Sequence, residues 1–306
     1  MSGRLWWWLR RAAGLAILAG VLGWLGLGPV VHGVRTVDRW TLLAGVALAV
    51  PTSVCCAWRW TLVTRGLGVR LPLPDAVAAY YRSQFLNTVL PGGVVGDLQR
   101  GLRHGRSVGD RATALRAVAW ERLAGQLSQM VLAMVVLLAV PSPVGKAMPW
   151  VAGAVALACL LAARLLRRVR PAGGSRTWRA LVVLRSDLRD MLLVRRTWSG
   201  VALASVLAVL GHLATFLVAA RTAGVDASPV RVVPLALLVL VAMALPLNVG
   251  GWGPREGVSA WAFGAAGLGA GAGLSAAVVY GVMVLVAGLP GAVVLAVQSL
   301  RGGSRA

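Results

Sequence analysis

Apolar residues run along this chain in long uninterrupted stretches that are separated by short arginine-bearing segments. Several stretches exceed about 18 residues, the length that an α-helix needs to cross a hydrocarbon layer of about 30 Å. The pattern predicts helical spans at about 12–31, 40–57, 117–140, 148–166, 198–220, 231–247, 256–277 and 279–299. We therefore predict an all-α polytopic membrane protein with about seven to eight transmembrane helices.

The overall composition agrees with this pattern and excludes several other classes of protein. Hydrophobic residues make up 58% of the 306 residues, charged residues make up 13%, and the mean hydropathy is +0.78. A soluble enzyme or a disordered chain would be far more polar. The strands of a membrane β-barrel would alternate apolar and polar positions, whereas these stretches are continuously apolar.

The charged residues indicate the orientation in the membrane. The net charge is +22, and all 31 basic residues except Lys146 are arginine. Because they concentrate between the apolar stretches, the positive-inside rule predicts four cytoplasmic segments, at 1–11, 58–70, 98–116 and 164–197. We expect a multi-pass protein of the plasma (inner) membrane with a cytoplasmic N-terminus and no nucleic-acid partner.

The stretch 71–90 differs from an ordinary span. Pro74 suits a first helical turn and Pro91 disfavours helix at the residue before it, so the helix reaches only roughly 24 Å. Its polar side chains, Arg82 among them, make it too polar to face lipid. We predict a re-entrant element that enters from the cytoplasm, turns just after residue 90 and returns to the same side.

A short internal repeat supports this interpretation. The pattern L-P-x-x-V-x-G occurs at Leu90–Gly96 and again at Leu245–Gly251, 155 residues later. Two halves of opposite orientation, each with a Gly/Pro-broken apolar segment, are typical of inverted-repeat transporters. We predict a single integral membrane domain, 1–306, with pseudo-repeats at about 40–166 and 198–299 joined by a cytoplasmic arginine-rich loop, 167–197. The side of the C-terminus is left open.

Charged and glycine-rich residues around the two turns are the candidate site. Exposed backbone N–H groups of glycine-rich turns bind anions, and arginine inside a membrane needs a partner or a function. Glu121 is expected to pair with Arg82 or with a more distant arginine, and Arg255 to face an anion or a carboxylate. The candidate substrate-binding residues are Arg82, Gln84, Asn87, Pro91, Gly92, Gly93, Gly96, Asp97, Glu121, Arg122, Asn248, Gly250, Gly251, Gly253, Arg255 and Glu256.

No residue pattern in the sequence indicates a catalytic or metal-binding site. The three cysteines, Cys55, Cys56 and Cys159, lie in apolar stretches and are expected to pack there. The histidines are isolated from one another, so no metal site is predicted, and no nucleotide-binding loop is present. We expect no cofactor and no enzymatic activity.

Three segments, 84–100, 121–123 and 245–257, resemble the transmembrane flippase-type domain of lysylphosphatidylglycerol synthases. In bifunctional members of that family, the resemblance implies, the membrane domain moves aminoacylated phosphatidylglycerol between leaflets and a separate C-terminal domain makes that lipid. Because the chain ends at Ala306, we expect a stand-alone member without the synthase domain, and lipid synthesis is not expected.

The leading functional hypothesis is therefore a lipid translocase or lipid-binding membrane protein. Arg82 and Arg255 would hold a lipid phosphate, and Glu121 and Glu256 would neutralise them in the empty site or hold a cationic head group. The expected partners are membrane lipids with anionic or phosphate-bearing head groups. The alternative is a membrane anchor or subunit for a separate lipid-modifying enzyme or glycosyltransferase, which would dock on loop 164–196. An intramembrane enzyme acting on lipid-linked sugars has no carboxylate pair or metal cluster in its favour.

Overall fold

The apolar stretches form helices throughout the structure. The computed structural model describes residues 3–90, 93–168, 181–187, 195–244 and 252–303, and all regular secondary structure in those ranges is helical. Residues 181–187 form a short helical segment. The other helices are α1 Gly3–Leu25, α2 Gly28–Thr36, α3 Arg39–Gly66, α4 Leu73–Val89, α5 Val95–Val108, α6 Arg111–Ala139, α7 Met148–Arg168, α8 Arg195–Thr222, α9 Pro229–Met243, α10 Pro254–Ala265 and α11 Ala270–Gly303.

Four of these helices, α3, α6, α8 and α11, are long and apolar enough to cross a membrane. The count of candidate spans in the described ranges rises to five if α1 and α2 together form one bent span. Large apolar side chains such as Val131, Leu157 and Leu203 are exposed on the outer surface, where lipid would cover them. The predicted class, an all-α polytopic membrane protein, is confirmed.

Two predicted spans are interrupted, and this lowers the number of full-length helices. The stretch 12–31 is not one helix, because the chain turns by 95° between α1 and α2 at Gly26, which has a φ of 71°. The single span at about 256–277 is also wrong. α10 ends at Ala265, and Gly267 and Gly269 turn the chain with φ values of 73° and 89°. These glycines sit in an apolar run, so hydropathy alone did not reveal the turn.

The helices fall into two matching sets of four. Each set has a long helix, two short helices and another long helix: α3 to α6 in the first and α8 to α11 in the second. α3 and α8 each have 28 residues, α4 and α9 have 17 and 15, and α5 and α10 have 14 and 12. α7 has no counterpart. The repeats observed are thus 39–139 and 195–303, so the first ends before the expected limit near 166.

The two sets run in opposite directions. α3 and α8 pack antiparallel along their length: the Thr41 and Thr222 hydroxyls are 3.1 Å apart, and Thr52 lies against Gly211. The contact at Gly211 is so close that a Cβ there would lie 2.0 Å from Thr52 Oγ1. α4 of the first set packs on α11 of the second, and α9 correspondingly packs on α6. The architecture is therefore an inverted repeat.

α4 and α5 form the predicted helical hairpin. A Cβ on Gly96 would lie 2.1 Å from the carbonyl oxygen of Ser83, so only glycine allows the two helices to approach this closely. Trp60 near the end of α3 contacts His104 near the end of α5, with ring centroids 5.8 Å apart. The start of α4 and the end of α5 thus lie at one end of the bundle. We call this the basic end, because its exposed residues include Arg65, Arg70, Arg103, Arg106 and Arg111.

Aspartates fix the starts of the long helices of the first repeat. Asp38 accepts a hydrogen bond from the backbone N–H of Thr41 at 2.8 Å, and Asp110 accepts one from Thr113 at 3.0 Å. The threonine hydroxyls also donate to these carboxylates, and these hydrogen bonds lower the pKa of each carboxyl from its ordinary value. The caps therefore contribute stability above the unfolded-state pKa and lose it as the pH falls.

The second repeat carries the largest apolar core. Phe216 of α8 packs against Phe263 of α10 and Tyr280 of α11, with ring centroids 6.3 Å and 5.6 Å away. Leu235 and Leu237 of α9 complete this cluster, and all five side chains are almost fully buried. The first repeat encloses more charge in its interior.

The hairpin predicts a definite pattern of accessibility. In a cysteine-free background, Arg70→Cys and Arg106→Cys should react with a membrane-impermeant maleimide from the same side. Asp226→Cys, in the exposed connection after α8, should react from the other side. Labelling of the first two variants from opposite sides would contradict the hairpin.

Candidate functional site

Two adjoining cavities lie at the centre of the bundle. The larger has a volume of about 440 Å³ and the smaller about 230 Å³. Gln84, Asn87, Arg122, His212 and Met243 line both of them, so the two spaces meet at these side chains. The cavities lie where the α4–α5 hairpin faces the helices of the second repeat.

The larger cavity reaches both of the predicted turns. Its lining includes Gly93, which leads into α5, and Trp252, which precedes α10. Thr52 of α3, Thr88 of α4 and Thr215 of α8 place hydroxyl groups in a wall that is otherwise mainly apolar. This composition is suited to a ligand with a small polar part and a large apolar part.

A buried carboxylate dominates the smaller cavity. Glu121 of α6 is 1% exposed, and its Oε1 accepts hydrogen bonds from Arg59 Nε at 3.0 Å and Arg59 Nη2 at 2.5 Å. Its Oε2 accepts one from Arg100 Nη2 at 2.5 Å. Arg59 comes from α3 and Arg100 from α5, so this one side chain connects three helices.

Asp97 extends this cluster along α5. Its Oδ1 accepts from Ser83 Oγ at 3.0 Å and from Arg100 Nε at 2.9 Å. Its Oδ2 accepts from Asn87 Nδ2 at 2.8 Å and pairs with Arg122. We call the connected set the ion network, which consists of Arg59, Glu121, Arg100, Asp97 and Arg122.

The second repeat has one ion pair at the corresponding turn. Glu256 Oε1 accepts from Arg255 Nε at 2.8 Å and Nη2 at 2.5 Å, and its Oε2 accepts from the Gly253 N–H at 2.7 Å. The carboxylate therefore caps α10 as well as pairing with arginine. The Arg255 guanidinium lies 5.3 Å from the Trp252 ring and 5.7 Å from the Tyr280 ring.

The acidic residues of the two turns occupy equivalent places. Asp97 is the third residue of α5 and Glu256 is the third residue of α10. Each binds an arginine that lines the larger cavity, Arg122 in the first repeat and Arg255 in the second. The pseudo-symmetric halves thus bring two guanidinium groups to one space.

The two arginines do not occupy equivalent positions in the repeats, and each is matched by a glycine in the other repeat. Arg122 is the twelfth residue of α6, and the twelfth residue of α11 is Gly281. Arg255 is the second residue of α10, and the second residue of α5 is Gly96. A Cβ at Gly281 would lie 2.4 Å from Arg255 Nη2, so the glycine makes room for the guanidinium of its own repeat.

Several predicted site residues do not line the cavities. Arg82 is 3% exposed and donates to Gln298 Oε1 at 2.6 Å, away from both cavities. Of the two partners expected for Glu121, Arg82 or a more distant arginine, the second is confirmed, because Arg59 and Arg100 occupy both carboxylate oxygens. Gly96 serves close packing against Ser83, and Gly253 packs beside α1. The predicted residues that line a cavity are Gln84, Asn87, Gly93, Asp97, Glu121, Arg122 and Arg255.

Some predictions fall outside the described residues. Five candidate site residues belong to this group: Pro91, Gly92, Asn248, Gly250 and Gly251. Most of the proposed docking loop, at 169–180 and 188–194, is in the same position. Between α7 and α8 the structure describes residues 181–187, which are held at the basic end, where Asp187 accepts hydrogen bonds from Arg116 at 3.1 Å and from Trp120 at 3.0 Å.

Sequence reasoning missed three residues of the site. Arg59 and Arg100 were counted as loop charges, yet α3 continues to Gly66 and α5 begins at Val95, so both lie inside helices. The spacing of Asp97 and Arg100, three residues apart, is a signal that could have identified one of them. His212 lines both cavities, and its Nδ1 lies 3.3 Å from the Tyr280 hydroxyl.

The family model for the lysylphosphatidylglycerol synthase TM region matches residues 11–291, which include both turns and the whole ion network. No curated protein matches the chain.

The ion network predicts a large stability effect at its centre. Glu121→Gln leaves Arg59 and Arg100 without their shared counter-charge, and breaking a buried pair costs about 3–5 kcal/mol. The thermal unfolding midpoint in detergent should therefore fall strongly. Asp226→Asn removes a carboxylate that is fully exposed beside Arg221, and should leave the midpoint unchanged. Equal midpoints for the two variants would contradict the structural role of Glu121.

Proposed function

As the chain belongs to the lysylphosphatidylglycerol synthase transmembrane-region family, we propose that it is a lipid translocase. A phosphate-bearing head group enters the central cavities, while the acyl chains remain in the bilayer. The protein acts by binding and moving a lipid, and catalyses no covalent step. Its exposed arginines at the basic end face the cytoplasm of the inner membrane, where anionic lipids attract them.

One observation carries this proposal: two arginines from inverted halves line a single cavity inside an apolar bundle. A charged side chain at the bilayer centre costs about 2.5–3.5 kcal/mol on insertion scales, so its retention indicates a function or a partner. The larger cavity has the volume of a small-molecule site, about 300–1,000 Å³ in general. Such a cavity accommodates a lipid head group but not a whole phospholipid.

Arg122 is the best-placed contact for a phosphate. It lines both cavities, its side chain is 35% exposed, and its planar guanidinium matches phosphate oxygens in a bidentate arrangement. Arg255 faces the larger cavity from the other repeat, and Asn87 and Gln84 supply neutral polar groups between the two. Asp97 and Glu256 hold the two arginines in position through ion pairs.

The inverted architecture supports movement between leaflets. In inverted-repeat transporters, one repeat rocks against the other around a fixed midplane site, and this opens the site to each side in turn. In the second repeat α9 packs against α10, and we call this pair the second hairpin. α4 packs on α11 and α9 on α6, so each hairpin contacts the other repeat. A relative shift of the repeats would therefore move both hairpins about the cavity.

The alternative function, an anchor for a separate lipid-modifying enzyme, is favoured by a single contact. Asp187 fixes segment 181–187 to α6 through Arg116 and Trp120, and this presents the segment at the basic end. The two proposals differ in one requirement: a translocase works as a purified protein without a partner, and an anchor does not.

Arg122 offers the sharpest test of the translocase. In proteoliposomes made with the purified protein, Arg122→Gln should slow the movement of labelled phosphatidylglycerol between leaflets at least about tenfold, since hydrogen bonds to charged groups contribute about 1.5–3 kcal/mol. The fold should survive, because Asp97 keeps Ser83, Asn87 and Arg100 as donors. Arg122→Lys should restore part of the rate.

Arg116→Gln is a matched control for this measurement. Arg116 lies on the same helix, is 38% exposed, and also has one carboxylate partner, but it does not line either central cavity. Its removal should leave the rate of lipid movement unchanged. Well-folded Arg122→Gln protein that moves lipid at the wild-type rate would overturn the site. Wild-type protein with no more activity than empty vesicles would overturn the function.

A further inference from the structure

The carboxylates in and beside the cavities are already neutralised within the protein. Asp97 and Glu121 each accept hydrogen bonds from two arginines, and Glu256 accepts two from Arg255 and one from the Gly253 backbone. An ammonium group that entered the site would therefore have to displace a guanidinium. Since the arginine bonds are charge-assisted and buried, that exchange is unfavourable.

The aromatic faces that could bind an ammonium are also occupied. Arg100 lies 4.6 Å from the Trp60 ring and 4.9 Å from the Tyr80 ring. Arg255 similarly covers Trp252 and Tyr280. Cation–π binding is the other usual means of recognising an ammonium group. Among the described residues around the cavities, both the carboxylates and these aromatic rings already bind arginine side chains of the protein.

Donors, in contrast, are in excess. Four guanidinium groups face the three carboxylates: those of Arg59, Arg100, Arg122 and Arg255. Arg100 is 1% exposed, yet its Nη1 has no hydrogen-bond partner among the described side chains and backbone groups. A buried charged donor without an acceptor costs free energy, and an anion in the smaller cavity, which Arg100 lines, would offset part of that cost electrostatically.

From these observations we infer that the site selects anionic phospholipids without an amine and rejects aminoacylated, cationic ones. Phosphatidylglycerol carries one negative charge, whereas its lysyl ester adds two ammonium groups and becomes net positive. The cavities, with their one surplus arginine, repel the lysyl ester. The inference rests on the proposed function and departs from the lipid in the family's name.

Transport and binding of three lipids, each measured separately, test this selectivity directly. Purified wild-type protein is reconstituted with labelled phosphatidylglycerol, phosphatidylethanolamine or lysylphosphatidylglycerol, and movement between leaflets is measured for each. Binding of the same lipids is measured separately, from the shift in unfolding midpoint in detergent. Phosphatidylglycerol should move at least tenfold faster than lysylphosphatidylglycerol and should raise the unfolding midpoint more. Phosphatidylethanolamine should give intermediate values in both assays.

A designed variant should reverse the preference. Gln84 lines both cavities, and its Oε1 accepts from Ser53 Oγ at 3.0 Å, so Gln84→Glu keeps that bond and adds a carboxylate. The ratio of phosphatidylglycerol to lysylphosphatidylglycerol should fall at least tenfold. Gln298→Glu adds the same charge beside Arg82, outside the cavities, and should leave the ratio unchanged.

The outcomes separate this inference from the function. Equal or faster movement of lysylphosphatidylglycerol by the wild-type protein would overturn the selectivity and leave the translocase standing. Selective binding of phosphatidylglycerol with no movement of any lipid would overturn the translocase and retain the selectivity. Equal binding of all three lipids, or equal responses of the two glutamate variants, would also contradict the inference.

Discussion

Glu121, held between Arg59 and Arg100, is the contact on which the interior of this bundle depends. It joins α3, α5 and α6 at a depth where an unpaired charge is costly, so the short α5 is kept beside two long helices. Arg100 also donates to Asp97, and Asp97 in turn binds Asn87 and Arg122 at the cavity wall. The side chains of this network line the smaller cavity and give its wall a polar character.

The inverted repeat brings such an arrangement to the larger cavity from both halves of the protein. Each hairpin places an acidic residue near the start of its second helix and an arginine against it, and both arginines reach the larger cavity. Gly281, which stands at the position of Arg122 in the other repeat, leaves space for the Arg255 guanidinium, whereas Gly96, which stands at the position of Arg255, packs against Ser83. A head group between the halves would therefore touch both repeats, which is the condition for coupling binding to their relative movement.

Much of the architecture follows from local sequence signals. Pro74 and the L-P-x-x-V-x-G patterns predicted a broken helix and an internal repeat, because proline and glycine act on the backbone where they stand. The partners of Glu121 did not follow, since they depend on how far α3 continues and on which faces of three helices meet. Arg59 resembled a loop charge for that reason. The glycines that end α10 were hidden because they lie in a run of alanine, glycine and leucine that has no polar residue to mark a turn.

The position of the bound head group tests the account most directly. Phosphatidylglycerol with a photoreactive diazirine in its head group is crosslinked to the wild-type protein in membranes, and the adducts are located by mass spectrometry. The account predicts adducts on cavity residues of α4 and α9, such as Gln84, Asn87 and Met243. Adducts confined to outward-facing residues such as Val131 and Leu300 would contradict it.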